Sequence, residues 1–109
     1  MKNCLITGVL LYFAVASPVT YGNDEYQLVI RDHRFEPAEI SIPADKRVKL
    51  IVDNQDETVE EFESKALRVE KLIPGKTNAT IWVGPLKAGK YTFVGEFHED
   101  TAQGVLISE

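Results

Sequence analysis

Cysteine and histidine are scarce in this sequence. Among 109 residues there is one cysteine, Cys4, and there are two histidines, His33 and His98. A single cysteine cannot form a disulfide within the chain, so the fold must depend on its apolar core. A nucleophile paired with its base is absent, as is a phosphate-binding loop. The sequence therefore contains no hydrolase or transferase motif, and any enzymatic role would be an accessory one.

Basic residues are outnumbered by acidic ones. The chain has 12 Lys and Arg against 17 Asp and Glu, which gives a net charge of -5. Such a charge is repelled by phosphate backbones and by anionic lipid. We therefore exclude nucleic acid as a partner and favour a cation.

Long apolar runs are also rare, and the most continuous one lies at the N-terminus. Residues 5–16 follow Lys2 and are almost entirely apolar. This length fits the apolar part of a signal peptide and falls short of the ~20 residues needed to cross a bilayer. Small residues would allow a signal peptidase to cleave before position 17 or before Asn23. The later site is favoured because the residues from Asn23 onward are polar. We therefore predict a signal peptide over residues 1–22 and one exported, periplasmic domain over residues 23–109, which lacks cysteine.

Apolar and polar residues alternate through much of the remaining sequence. Val48, Leu50 and Val52, for example, flank the polar Lys49. A period of two is typical of a strand with one buried face. Comparable short runs, separated by proline, glycine and acidic turn residues, lie near residues 26–31, 40–42, 81–83, 91–95 and 105–107.

No stretch has the period of an amphipathic helix, although residues 60–71 have room for one helical turn. The pattern therefore predicts an all-β protein, a Greek-key β-sandwich of six to eight strands. The aromatic side chains expected in its core are Trp82, Tyr91, Phe93 and Phe97.

Six motifs, in their order along the chain, resemble those of the cupredoxins. They are Phe35-Glu36-Pro37, Pro43-Ala44-Asp45, Val52-Asp53-Asn54-Gln55-Asp56, Glu60-Glu61-Phe62-Glu63, Pro74-Gly75-Lys76-Thr77 and Gly89-Lys90-Tyr91-Thr92-Phe93. More narrowly, the chain resembles the EfeO-type cupredoxin-like proteins that accompany bacterial high-affinity iron permeases. This resemblance implies a sandwich of the cupredoxin type and a role in iron acquisition.

The copper ligands of a blue cupredoxin are mostly replaced in this chain. The late loop of such proteins carries cysteine, histidine and methionine, and at the same spacing this sequence has Gly95, His98 and Gln103. Glu60 stands where related domains carry another histidine. Without a thiolate, a blue copper site is not expected. Gln103 can take the axial position through its amide oxygen, or it can simply form the hairpin.

Carboxylates and one imidazole make up the candidate metal site. The predicted ligands are Glu60, Glu61, Glu63, Glu96 and His98. These donors suit iron or Cu(II) rather than Cu(I). If Phe62 points into the core, alternation places Glu60 inward as well, where its carboxylate needs a cation or hydrogen-bond donors. Lys65, Arg68 and Lys71 are possible partners for these acids, and His33 is expected to be a surface or edge residue.

The sequence therefore predicts a periplasmic metal-binding cupredoxin-like protein with an iron or copper ion. The resemblance implies that it assists iron uptake, by binding, transferring or oxidising ferrous iron for a membrane permease, with that permease or a periplasmic iron-binding protein as its partner. Two alternatives stay open. One is a metal-free periplasmic interaction module, and the other is a non-blue Cu(II) carrier.

Overall fold

The computed structural model describes residues 24–109, so the predicted signal peptide lies outside the described residues. Alternation of apolar and polar side chains produces nine strands in this part of the chain. They are β1 Glu25–Arg31, β2 Arg34–Glu36, β3 Glu39–Ile42, β4 Val48–Asn54, β5 Glu60–Ser64, β6 Val69–Ile73, β7 Thr77–Val83, β8 Gly89–Gly95 and β9 Gln103–Ser108. A short 3-10 helix, Glu96–His98, follows β8.

The strands form two sheets. One has the order β2-β1-β4-β7 and the other the order β3-β9-β8-β5-β6. Both are mixed, since β1 lies parallel to β4 and β3 lies parallel to β9, while the other pairs are antiparallel. The predicted all-β sandwich is confirmed.

The core lies between the two sheets and is aromatic at its centre. Phe62 stacks on Phe93 with ring centroids 4.9 Å apart, and Phe35 meets both rings edge-on. Each fully buried ring contributes about 1.5–3 kcal/mol of hydrophobic stabilisation. The inward side chains of β4, one on every second residue, complete the layer. The loops at one end of the sandwich connect the strands that form this packed layer.

The structure departs from the sequence prediction in three places. It contains nine strands because three short ones, β2, β5 and β6, were not among the six predicted runs. Residues 60–71 form most of the β5–β6 hairpin and no helical turn. Trp82 and Phe97 are not in the core, since they are 51% and 49% exposed. Trp82 lies on the outward face of β7, where Arg47 and Lys49 cover its ring.

Residues 24–109 contain no helix with the length and apolar character needed to cross a membrane.

Candidate metal centre

Three loops meet at one end of the sandwich, which we call the loop pole. They are the turn between β1 and β2 at residues 32–33, the β4–β5 loop at residues 55–59, and the β8–β9 connection at residues 96–102. Asp56 accepts hydrogen bonds from the first turn, and Thr101 donates to the carbonyl oxygen of His33 over 2.6 Å. The loops therefore hold one another in place.

Glu60 lies at the centre of the loop pole with its carboxylate turned inward. It is the first residue of β5, on the same face as Phe62, and only 2% exposed. Its Oε1 accepts the backbone N–H groups of Glu61 and Phe97, each over 2.9 Å, and its Oε2 lies 2.7 Å from Nδ1 of His98. The inward direction predicted by alternation is confirmed. Three donors offset the cost of burying this carboxylate.

Both the backbone and the ring of His98 form hydrogen bonds that hold the residue in place. Its carbonyl oxygen accepts the N–H groups of Thr101 and Ala102, which closes the loop after the 3-10 helix. An ionised carboxylate can only accept hydrogen bonds, so Nδ1 of His98 donates to Glu60 and Nε2 is left as the free ring nitrogen. A carboxylate that accepts a hydrogen bond from one imidazole nitrogen fixes the tautomer of the ring. It also raises the basicity of the other nitrogen, as it does in metal sites. With its side chain 27% exposed, His98 is within reach of an ion from solvent.

Gly95 explains why Glu60 fits. A Cβ atom added at Gly95 would lie 2.7 Å from Cδ and Oε2 of Glu60 and 2.8 Å from Cβ of Ala102. The carboxylate therefore fills the space that a cysteine side chain at this position would need. The donor set does not fit a blue copper centre, whereas imidazole and carboxylate together fit a hard or borderline ion.

The other predicted ligands lie on a different surface. Glu61 and Glu63 lie on the outer face of the five-stranded sheet, and Glu96 of the 3-10 helix lies beside them. Carboxylate oxygens come within 4.8 Å of one another in two groups, one formed by Glu61, Glu70 and Glu96 and the other by Glu63, Glu96 and Glu99. The predicted ligand set is therefore divided in two. Glu60 and His98 form the inner part, and the three other glutamates form the outer part.

The outer acids also influence one another electrostatically. A hydrogen bond with Glu61, followed by desolvation and the charge of Glu61, raises the pKa of Glu96. Within residues 24–109, the ion pairs closer than 4.0 Å do not include Lys65, Arg68 or Lys71. These cations therefore do not neutralise the acidic face through close contact.

His33 lies in the turn at the edge of the four-stranded sheet, which agrees with the expected surface or edge position, and this turn is at the loop pole. Its ring stacks on that of His98 with centroids 3.5 Å apart and planes inclined by 12°. Partial burial tends to raise the pKa of Asp56, but the N–H groups of His33 and Asp32 and the two nearby imidazoles outweigh it and hold the pKa below its ordinary value. Asp56 thus stays charged and keeps its two hydrogen bonds to the turn.

Gln103 forms part of the hairpin, which is one of the two alternatives that the sequence left open. Its side chain is exposed and donates a hydrogen bond to the carbonyl oxygen of Glu99 over 2.8 Å. The side chain that faces Gly95 is the neighbouring Ala102, which is fully buried and has no donor atom.

Comparison with known proteins agrees with this architecture. Residues 3–108 match the family model of the cupredoxin-like domain. An uncharacterized protein of Rickettsia prowazekii (strain Madrid E) is 38% identical over 108 residues, which cover 95% of this chain and 86% of that protein.

Solved structures of low sequence identity share the fold. Auracyanin A, a blue copper protein of Chloroflexus aurantiacus, is similar with a TM-score of 0.67 at 12% identity, over 78% of this chain and 98% of that one. Amicyanin of Paracoccus versutus has a TM-score of 0.64 at 14% identity, over 79% and 82% of the two chains. A chain of a heme-copper terminal oxidase has a TM-score of 0.67 at 21% identity, over 84% and 68%. At such identities the likeness concerns the fold alone.

Proposed function

Because the chain belongs to the cupredoxin-like domain family, we propose that it is an exported metal-binding protein that holds an iron or Cu(II) ion at the loop pole. Its residues adopt the fold of copper proteins such as auracyanin A. The donor side chain at the loop pole, however, is an imidazole held by a carboxylate, in place of a thiolate. This arrangement favours a borderline ion without blue copper chemistry.

One observation carries this proposal. A carboxylate that is 2% exposed lies 2.7 Å from the ring nitrogen of a half-buried histidine, at the end of a rigid sandwich. A buried carboxylate behind an imidazole is the arrangement that orients histidine ligands in metal sites. His98 would bind the ion through Nε2, and Glu60 would fix the ring and supply negative charge.

The proposed cargo is ferrous iron in the periplasm. The ordered motifs that resemble EfeO-type proteins favour this role, in which the protein binds, passes on or helps to oxidise Fe(II) for a membrane permease. The net charge of -5 and the acidic outer face attract cations toward the domain. The permease or a periplasmic iron-binding protein is the proposed partner.

The first expected result is a Cu(II) complex that absorbs only weakly in the visible range. Residues 24–109 contain no cysteine, so Cu(II) added to a Cys4→Ser variant of the full chain should produce only a weak ligand-field absorption. The measurement is a visible spectrum during Cu(II) titration. An intense visible charge-transfer band in this variant would contradict the proposed donor set, because imidazole and carboxylate ligands give Cu(II) only weak visible absorption.

Loss of His98 is expected to weaken metal binding. We expect His98→Ala to reduce the affinity on the order of tenfold or more, about 1.4 kcal/mol, because the free ring nitrogen is removed. Calorimetry with Fe(II) under anaerobic conditions, and separately with Cu(II) and Mn(II), measures the change and identifies the preferred ion.

The double variant Glu61→Gln/Glu63→Gln serves as the comparison, since it removes charge from the outer face and leaves the inner pair intact. We expect it to change the affinity by only a few fold, through weaker long-range attraction. If this variant loses binding and His98→Ala keeps it, the ion sits on the outer face and the proposed site is wrong.

A metal-free interaction module is the second candidate. It is favoured by the fact that Glu60 already has three donors and needs no cation to be stable. If the parent protein binds none of the three ions in calorimetry, this second function becomes the better one.

A further inference from the structure

Three of the four strands at the sheet edges are protected against pairing with another chain. The edge strands are β2 and β7 in one sheet and β3 and β6 in the other. β2 and β3 have only three and four residues, and β6 carries Glu70 and Lys71. Short length and charged side chains are two ways in which proteins prevent an exposed edge from adding a further strand.

β7 has neither form of protection. Its seven residues, Thr77–Val83, include no charged residue, no proline and no glycine. Within residues 24–109, its backbone has no hydrogen-bond partner other than β4. An uncharged strand rich in β-branched residues, with one side of its backbone unpaired, is the kind of edge to which another strand adds.

The outward face of β7 also has apolar area to contribute. Trp82 is 51% exposed although Arg47 and Lys49 lie over its ring. On the same face, Asn78 and Thr80 are exposed and uncharged. A strand added beside β7 would cover part of the Trp82 ring, which favours pairing through the hydrophobic effect.

A second copy of this chain fits the edge because β7 is complementary to itself. If two β7 strands pair antiparallel over their whole length, the central residue Thr80 lies opposite its own copy. Asn78 of each copy then lies opposite Trp82 of the other, on the same face. A charged residue at the centre of the strand would meet its own copy and be repelled, whereas a pair of threonines is favourable.

We propose that β7 is the surface through which two copies of this chain associate, by antiparallel pairing of their Thr77–Val83 strands. This inference goes beyond the metal-binding function and does not depend on it. β7 begins opposite Asn54, at the end of β4 nearest the loop pole, so the two loop poles lie at opposite ends of the dimer and both stay open to solvent. One pair of strands is a small interface, so the dimer is weak and forms at high protein concentration.

Sedimentation equilibrium of the full chain over a range of concentrations, in a Cys4→Ser background, measures the association. We expect Thr80→Lys to raise the dissociation constant of the dimer about tenfold or more, because two like charges then face each other and lysine protects an edge. Gln27→Lys is the matched control. It adds the same charge to an exposed residue in the same row of the sheet, where Gln27 aligns with Ile51 and Ile51 with Thr80, but two strands from the edge.

The control should associate as the parent does. If Thr80→Lys also associates as the parent does, or if the parent is a monomer at every concentration, the inference is wrong. A monomeric parent would leave the β7 edge to a strand of a different protein.

Cysteine trapping tests the register and separates pairing at β7 from association through the apolar residues 5–16. In the Cys4→Ser background, Thr80→Cys should form a disulfide between two copies under mild oxidation. The reason is that opposite residues of an antiparallel pair have Cα atoms about 4.5–5.5 Å apart, within the range of a disulfide. Gln27→Cys should stay largely reduced. Equal cross-linking of the two variants, or none in Thr80→Cys, would overturn the proposed pairing.

Discussion

Replacing Gly95 with alanine is expected to destabilise the fold by about 2–4 kcal/mol, although the change adds a single methyl group. The new Cβ would lie 2.7 Å from the Glu60 carboxylate and 2.8 Å from Cβ of Ala102. The backbone of Gly95 is ordinary extended chain, with φ -92° and ψ 109°, so the cost comes from space and not from strain. Because Glu60 is buried and fixed by three hydrogen bonds, it cannot move aside without losing its donors.

Urea denaturation of Gly95→Ala alone and in a Glu60→Ala background measures this effect. With the carboxylate removed, only the 2.8 Å contact with Cβ of Ala102 remains, and the same substitution should cost less than in the parent. A double-mutant cycle therefore gives a coupling of about 1 kcal/mol or more between positions 60 and 95. Equal costs in both backgrounds would show that Glu60 does not fill the space beside Gly95.

Replacing Asn54 with aspartate is expected to cost about 3–5 kcal/mol of stability. Asn54 is fully buried at the end of β4, and its amide Nδ2 donates to the carbonyl oxygens of Thr58, Ile73 and Pro74. Its Oδ1 accepts the N–H of Asp56. An aspartate has the same shape but cannot donate, so it would place a buried negative charge against three carbonyl oxygens.

The order of two variants makes this prediction specific. Asn54→Ala removes the hydrogen bonds without adding a charge and should cost less, about 2–3 kcal/mol. Gln55→Ala is the control, because Gln55 is exposed and should change stability by no more than about 0.5 kcal/mol. Chemical denaturation of the three variants gives the order. An Asn54→Asp variant as stable as Asn54→Ala would mean that a charge at position 54 costs nothing, and that the side chain is therefore not buried against the three carbonyl oxygens.

The sequence predicted the inner part of the site because successive side chains along a strand point to opposite faces of the sheet. Once Phe62 was assigned to the core, alternation placed Glu60 beside it and put Glu61 and Glu63 on the opposite face, as observed. The cupredoxin resemblance then aligned His98 with the loop that meets Glu60. Sequence reasoning did not foresee that Glu96 would lie with Glu61 and Glu63, apart from Glu60 and His98.

The place of His33 was not predictable from the sequence. It depends on a two-residue turn with positive φ at Asp32 and His33, and neither residue signals such a turn as asparagine followed by glycine would. The contact also joins positions 65 residues apart, in segments that follow strands of different sheets. Asp56 and Thr101, which fix the turn, have no recognisable spacing. Local pattern therefore predicted the strands, whereas the arrangement of the loop pole required tertiary structure.

Nitrogen NMR of the His98 ring during titration with Zn(II), a diamagnetic borderline ion, tests the central claim most directly. In the free protein we expect Nδ1 to carry the proton, since it donates to Glu60 over 2.7 Å. On addition of Zn(II), the Nε2 signal should move to the range of a metal-bound nitrogen while Nδ1 stays protonated. If both His98 nitrogens keep their shifts in excess Zn(II), or if Nδ1 is the nitrogen that binds, His98 does not hold an ion in the way proposed.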